Sequence, residues 1–246
     1  MALPKIDTPV YEIDLPLSKK HIRYRPFLVK EQRNLLMAIE SDDASSIQNA
    51  VKDILNNCTL TEGVDTDKLP IIDVEYYFIN LRAKSVGEVV ETKYRCNNEV
   101  STVDENGNKQ TKTCNNIMET NVNLLNIKPY QDEVVDPEIQ LTDKIVIKMR
   151  YPQFGVVKDS LNMDSVTDIT FNMIANSIEY IYDGEQFYYA KETTKEDLLE
   201  FLEQLNNEQF EKIEEFFEAM PKMSKKVEMT CKKCGFHHEI EVEGLA

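Results

Sequence analysis

Polar and apolar positions change their period several times along the 246-residue chain, and each change predicts an element. Residues 10–15 and 21–27 read as two strands flanking the turn-like Pro16-Leu17-Ser18-Lys19-Lys20, a β-hairpin. Residues 29–39 place Leu35, Leu36 and Ile39 at helical spacing. Asp42, Asp43 and Ser45 can start a second helix with Ile47, Ala50, Val51, Ile54 and Leu55 on one face. Residues 70–83 form a third helix with apolar residues on nearly every side, so it should be largely buried or touch a partner. Val89, Val90 and Tyr94, and later Ile117, Val122 and Leu124, then read as strands. Residues 139–141 and 144–149 predict another hairpin, and helices follow over 156–161 and 166–178. Residues 180–189 are strand, Asp-Gly turn and strand. Thr194 caps a helix with Asp197 three residues on, and Asn207 starts another that Pro221 stops. These stripes read first as core.

Composition adds limits. Hydrophobic residues make up 41% of the chain, ordinary for a globular protein. The formal charge of −16 disfavours nonspecific binding to DNA or to an anionic membrane. The one basic cluster, Lys19, Lys20, His21, Arg23 and Arg25, lies on the first hairpin and suits docking to an acidic partner better than nucleic acid. No apolar run approaches the ~20 residues that span a bilayer. The first twenty residues lack the basic start and apolar core of a secretory signal, so a reducing cytoplasm and free thiols are expected. Three histidines, no Gly-rich phosphate loop and no G-x-S-x-G elbow offer little to an enzyme. The chain is therefore expected not to be one.

The chemistry lies in the cysteines. Cys231-Lys232-Lys233-Cys234-Gly235 is a C-x-x-C-G knuckle, whose glycine supplies the positive φ of its turn. Such a knuckle is half of a tetrahedral structural zinc site. Cys96 and Cys114, each followed by Asn-Asn, are the remaining pair, since Cys58 closes a helix and reads as a small buried hydrophobe. The long gap between them contains Asn106-Gly107, the strongest short hairpin signal, so residues 99–103 and 109–113 can pair and bring the two cysteines together. The metal ligands are then Cys96, Cys114, Cys231 and Cys234, a closed site that staples the middle of the chain to its C-terminal part. Arg95, Lys112, Lys232 and Lys233 could offset the thiolate charge. Four thiolates suit zinc or iron. A redox pair should open a helix, whereas Cys231 and Cys234 sit between strand-like segments; unliganded thiols are a further option. His237 and His238 read as surface or packing residues rather than ligands.

Several of these pieces together resemble a known family. They are the hairpin leading into Arg25-Pro26-Phe27-Leu28-Val29-Lys30-Glu31 and a helix, the Ser85-Val86-Gly87-Glu88 connection, the Tyr151-Pro152-Gln153-Phe154 step and the second knuckle. The chain resembles the baseplate hub proteins of T-even-type contractile-tailed phages, hub subunits or hub-assembly chaperones. Members commonly carry a tight C-x-x-C in the first position, and this chain departs there. The resemblance implies a non-enzymatic role in building the hub, with other hub proteins or further copies of itself as partners. It also implies residence in the host cytoplasm during assembly or in the virion baseplate. The alternative is a zinc-ribbon adaptor in transcription or replication that touches polymerase or nucleic acid. The expected fold is α+β, with short β-hairpins and amphipathic helices around a zinc-ribbon-like four-cysteine centre. Its expected parts are 1–87 (hairpin and helices), 88–126 (first knuckle with inserted hairpin), 127–224 (hairpins and helices) and 225–246 (second knuckle), packed as one unit. The third helix and the first hairpin are the expected contact surfaces.

Overall fold

The computed structural model describes residues 6–103, 109–131, 133–160, 163 and 165–243. A hairpin of β1 (Tyr11–Asp14) and β2 (His21–Tyr24) leads into α1 (Val29–Glu40), α2 (Ala44–Cys58) and α3 (Ile71–Val86). Next come β3 (Val89–Arg95), β4 (Glu99–Val103), β5 (Lys109–Thr113), β6 (Ile117–Asn123) and β7 (Lys128–Tyr130). Then follow β8 (Glu138–Gln140), β9 (Val146–Met149), α4 (Phe154–Ser160), α5 (Val166–Ser177), β10 (Ile178–Tyr182) and β11 (Phe187–Tyr189). The chain continues through α6 (Lys195–Glu203), α7 (Asn207–Glu218), β12 (Lys222–Thr230) and β13 (His237–Glu243). The fold is α+β, with seven α-helices and several small antiparallel sheets among the described residues.

Capping side chains set the helix starts. Asp43, Ser165 and Thr194 each accept the backbone N–H three residues on. Asn206, one residue before the expected start, caps α7 with Gln209 reaching back to it. Apolar faces then sort the elements. β1, β2, α2, α3 and Phe154 share one core that includes Ile22, Leu55, Cys58, Tyr77 and Leu81. The sheet β11-β10-β9-β8 packs one face on α5, α6 and α7 through Ile147, Ile181, Leu202, Ile213 and Phe216.

Helix α3 joins the first core to a third, smaller one, which explains its all-round hydrophobicity. Val74, Tyr77 and Leu81 enter the first core, while Ile72, Ile79 and Ala83 pack against Val122, Leu124, Ile127 and Met223. The expectation that this helix is largely buried holds, but its faces are used inside the chain. Tyr77 is buried and its hydroxyl lies 3.0 Å from Thr59 Oγ1, so it presents nothing to a partner. Tyr76 is half-buried and accepts Lys128 Nζ at 3.0 Å. Asp73, fully buried on the same helix, accepts the N–H groups of Leu17 and Ser18, both at 2.8 Å. That carboxylate fastens the β1–β2 turn to α3. Three of the five residues in the basic cluster on this hairpin meet carboxylates of the same chain. His21 Nδ1 meets Asp14 at 2.8 Å, Arg23 meets Glu12 at 3.6 Å, and Arg25 meets Glu31 at 3.0 Å.

Helix α1 departs from expectation in its orientation. It turns Glu31 inward to meet Arg25 and the Leu28 N–H, while Leu36 and Ile39 face outward. The turn Asp104-Glu105-Asn106-Gly107-Asn108 and Leu161 lie outside the described residues.

Two measurements check this packing. Asp73→Ala leaves the half-buried N–H groups of Leu17 and Ser18 without their acceptor and is expected to cost about 1–3 kcal/mol in urea denaturation. Glu75, half-buried on α3, is pushed up to about 7 by burial from its ordinary value of 4.5. A raised carboxyl pKa contributes stability below its unfolded value and loses it as pH climbs through the folded one. Glu75→Gln is therefore expected to stabilise the protein by up to about 2 kcal/mol near pH 9 and to change little near pH 4.

Candidate metal centre

The four cysteines predicted as ligands come together. Cys96 directly follows β3 and Cys114 lies between β5 and β6, at the same end of the facing strands β3 and β6, and Cys231 and Cys234 lie in the turn between β12 and β13. Their four sulfurs all lie within 4.8 Å of one another. Cys96 Sγ is 3.6 Å from Cys234 Sγ, and Cys114 Sγ is 3.8 Å from Cys231 Sγ. A tetrahedral ion with metal–sulfur bonds of ~2.3 Å needs sulfurs ~3.8 Å apart, so the set fits such an ion. Met118 and Met229 are buried beside the sulfurs, and Tyr94, Val100, Val227 and Ile240 pack around them.

The two pairs share one backbone design. In the second, Cys231 N–H donates to Phe236 O at 2.8 Å, and Gly235 N–H donates to Cys231 O at 2.8 Å. In the first, Cys96 N–H donates to Asn116 O at 2.8 Å, and Asn115 N–H donates to Cys96 O at 3.0 Å. Gly235 has φ +73° and Asn115 has φ +55°, so the residue after the second cysteine is left-handed in both. Asparagine tolerates that region better than most residues. Cys96 thus corresponds to Cys231 and Cys114 to Cys234. Where the second knuckle has Lys232-Lys233, the first carries the ribbon β4–β5, paired from Glu99–Thr113 to Val103–Lys109. The departure from a tight C-x-x-C is an insertion at the tip of an intact knuckle.

The Asn-Asn repeat serves the sulfurs. The first asparagine of each pair, Asn97 or Asn115, is exposed. The second donates its backbone N–H to its own knuckle's sulfur, Asn98 to Cys96 and Asn116 to Cys114. Its side chain reaches across to the other pair, Asn98 Nδ2 to Cys234 Sγ at 3.6 Å and Asn116 Nδ2 to Cys231 Sγ at 3.5 Å. His238, expected at the surface or in packing, is buried with Nε2 3.1 Å from Cys96 Sγ. It neighbours the four sulfurs without joining them. Asn98 and Asn116 are the residues whose roles sequence reasoning passed over, and the repeated Asn-Asn was the available signal for them. For His238 the packing alternative holds, and the sulfur it packs on is what the sequence did not show.

Electrostatics follow from this packing. Burial pushes the Cys96 thiol up to about 12. At Cys231 burial pushes the thiol up, but the N–H groups of Cys234 and Lys233, together with hydrogen bonds from the Cys234 and Cys96 side chains, bring it down to about 6. Of the expected counter-charges, Lys233 reaches the site, its Nζ donating to Cys114 O at 3.2 Å. Arg95, Lys112 and Lys232 are exposed. Cys58 is fully buried in the first core, away from this group, and burial pushes its thiol up to about 11.

The arrangement defines a class: a small α+β protein held at one end by two antiparallel knuckles whose sulfurs form a single four-atom donor set. A family model described as T4 bacteriophage base plate protein matches residues 8–246, and the chain belongs to this family of phage baseplate proteins. No curated protein and no solved structure matches it. Membership implies a place in the phage tail baseplate and contacts with other baseplate proteins. No helix among the described residues is long and apolar enough to cross a membrane.

Groups that orient and neutralise metal ligands typically change affinity ten- to a hundredfold when removed. Asn116→Ala is expected to weaken metal retention by about tenfold in competition with a chromophoric chelator. Asn97→Ala, on the exposed side of the same repeat, should leave it unchanged.

Proposed function

We propose that this baseplate protein is a non-enzymatic component or assembly factor of the baseplate hub, acting through protein contacts, and that its cysteines hold one structural zinc. The observation that carries the reading is the matched pair of knuckles. Cys96, Cys114, Cys231 and Cys234 converge at tetrahedral spacing, with N–H donors on the sulfurs and an apolar jacket around them. Four protein ligands complete a zinc shell, which is the habit of structural sites; catalytic zinc usually keeps a place for water. Bound there, zinc would supply a cross-link and would stabilise the charged form of thiols that otherwise resist ionising so close together.

The same geometry says what such a cross-link would hold. It joins β3–β6 to β12–β13 and clamps the base of the β4–β5 ribbon. A two-stranded ribbon is marginal on its own, and every described residue of β5 is exposed, so its base is its anchor. The cross-link is not the sole closure. β7 pairs with β12 over Lys222–Tyr130, Met223–Pro129 and Ser224–Lys128. Family membership favours the hub reading over a transcription or replication adaptor.

Elemental mass spectrometry of protein purified without chelator is expected to give one zinc per chain, and none in Cys231→Ser. Hydrogen exchange of that variant should speed up over 89–123 and 222–243, while the core formed by 139–217 stays protected. Well-protected knuckles without metal would remove the zinc assignment. Co-expression with the hub proteins of the same phage should yield a copurifying complex. Failure of that complex, with copurification of non-hub baseplate proteins instead, would remove the hub assignment.

A further inference from the structure

Helix α1 is amphipathic, but much of its apolar surface faces away from the protein. At 100° per residue, Glu31, Leu35 and Ala38 share the inward side, and all three are at least half-buried. The opposite side carries Val29, Arg33, Leu36 and Glu40, flanked by Met37 and Ile39. Val29 is 80% exposed, Leu36 52%, Met37 57% and Ile39 51%. Isolated exposed apolar residues are ordinary, but four on one three-turn helix face make a stripe of the kind that marks contact sites.

The charges within the stripe say what covers it. Arg33 and Glu40 are exposed, and among the described residues neither has an ion-pair partner. They stand at equal distances on either side of the Leu36–Met37 midpoint, the cation towards the N-terminus and the anion towards the C-terminus. A second α1 laid antiparallel about a twofold axis through that midpoint sets Arg33 against Glu40 of the second copy, and the reverse. The same axis sets Leu36 against Met37 of the second copy, twice over, so these apolar side chains form the centre of the contact. A twofold contact requires a self-complementary patch of this kind. A parallel arrangement would oppose like charges.

We propose that the outward face of α1 is a self-association surface, on which two copies of this chain pair as antiparallel helices. A single helix pair covers less than the roughly 1,600 Å² of a standard interface, so the dimer is of micromolar strength or weaker. The net charge of −16 repels the copies at long range, which leaves the two Arg33–Glu40 contacts to select orientation at short range. The inference rests on α1 alone, independent of the cysteine centre and of the hub assignment.

Sedimentation equilibrium of the full chain, from micromolar to near-millimolar concentration, tests it, with circular dichroism to confirm that each variant is folded. The wild type is expected to dimerise. Leu36→Glu should raise the dissociation constant at least about tenfold by placing charge at the centre of the contact. Arg33→Glu and Glu40→Arg should each weaken the dimer several-fold, and the Arg33→Glu/Glu40→Arg double variant should recover it, because both pairs are reversed together. A wild type monomeric throughout the range would overturn the proposal. So would a dimer indifferent to Leu36→Glu, or a double variant no tighter than either single one. Zinc content measured on the same samples reports separately on the cysteine centre, so failure of one reading leaves the other standing.

Discussion

Four sulfur atoms from two distant stretches of chain meet within 4.8 Å, and this convergence constrains the architecture around it. Sulfurs that close, cut off from water, are costly to ionise together. The backbone answers with N–H donors from Asn98, Asn116, Lys233 and Cys234. Those donors are in place only when each cysteine pair is bent into a knuckle with a left-handed residue after its second cysteine. Each knuckle in turn must end a pair of strands, because antiparallel strands bring two chain positions together and aim them the same way. The registers of β3–β6 and β12–β13 follow from where their cysteines must lie.

Equivalence of the two knuckles also accounts for the β4–β5 ribbon. An insertion is tolerated at the tip because the bonds that define the turn, from Cys96 to Asn116 and from Asn115 to Cys96, lie at its base. The ribbon can be as polar as it is because, beyond Val100 at its base, it adds little to any core. Its order comes from cross-strand pairing and from the point at which it is held. In a protein of a large assembly, such a rigidly based, exposed finger and an outward apolar helix face are two kinds of surface that the fold leaves available.

At the other end, α3 does the work of integration. It gives one face to the N-terminal hairpin and another to the segment that carries β7 and β12, so the cores meet along one helix. Asp73 adds a polar lock to this apolar junction by taking two N–H groups from the β1–β2 turn. Burial of Glu75 on the same helix is the electrostatic counterpart, a carboxyl held short of water by the packing that surrounds α3.

Much of this was written in local order. The hairpins at Tyr11–Tyr24 and Ile178–Tyr189, the caps at Asp43 and Thr194, and the strands on either side of Asn106-Gly107 follow from alternation, capping chemistry and turn residues, all of which act within a few positions. The four cysteines were legible as a set because the C-x-x-C-G knuckle of Cys231 and Cys234 supplies half of a tetrahedral site, and Cys96 and Cys114 are the pair left once Cys58 is placed in a helix. Tertiary structure alone decided which sides of the helices are inside. Leu36 and Ile39 carry the helical period of a core stripe, yet α1 turns Glu31 inward, because Arg25 on the adjoining chain can satisfy a buried carboxylate there. Likewise α3 could have met a partner or its own chain, and only the packing of two cores against it settled which. The roles of Asn98, Asn116 and His238 were equally hidden, since a donor to a sulfur more than a hundred residues away exists only once the strands have brought it there. Periodicity records that a face is apolar; what that face meets depends on elements far away in the chain.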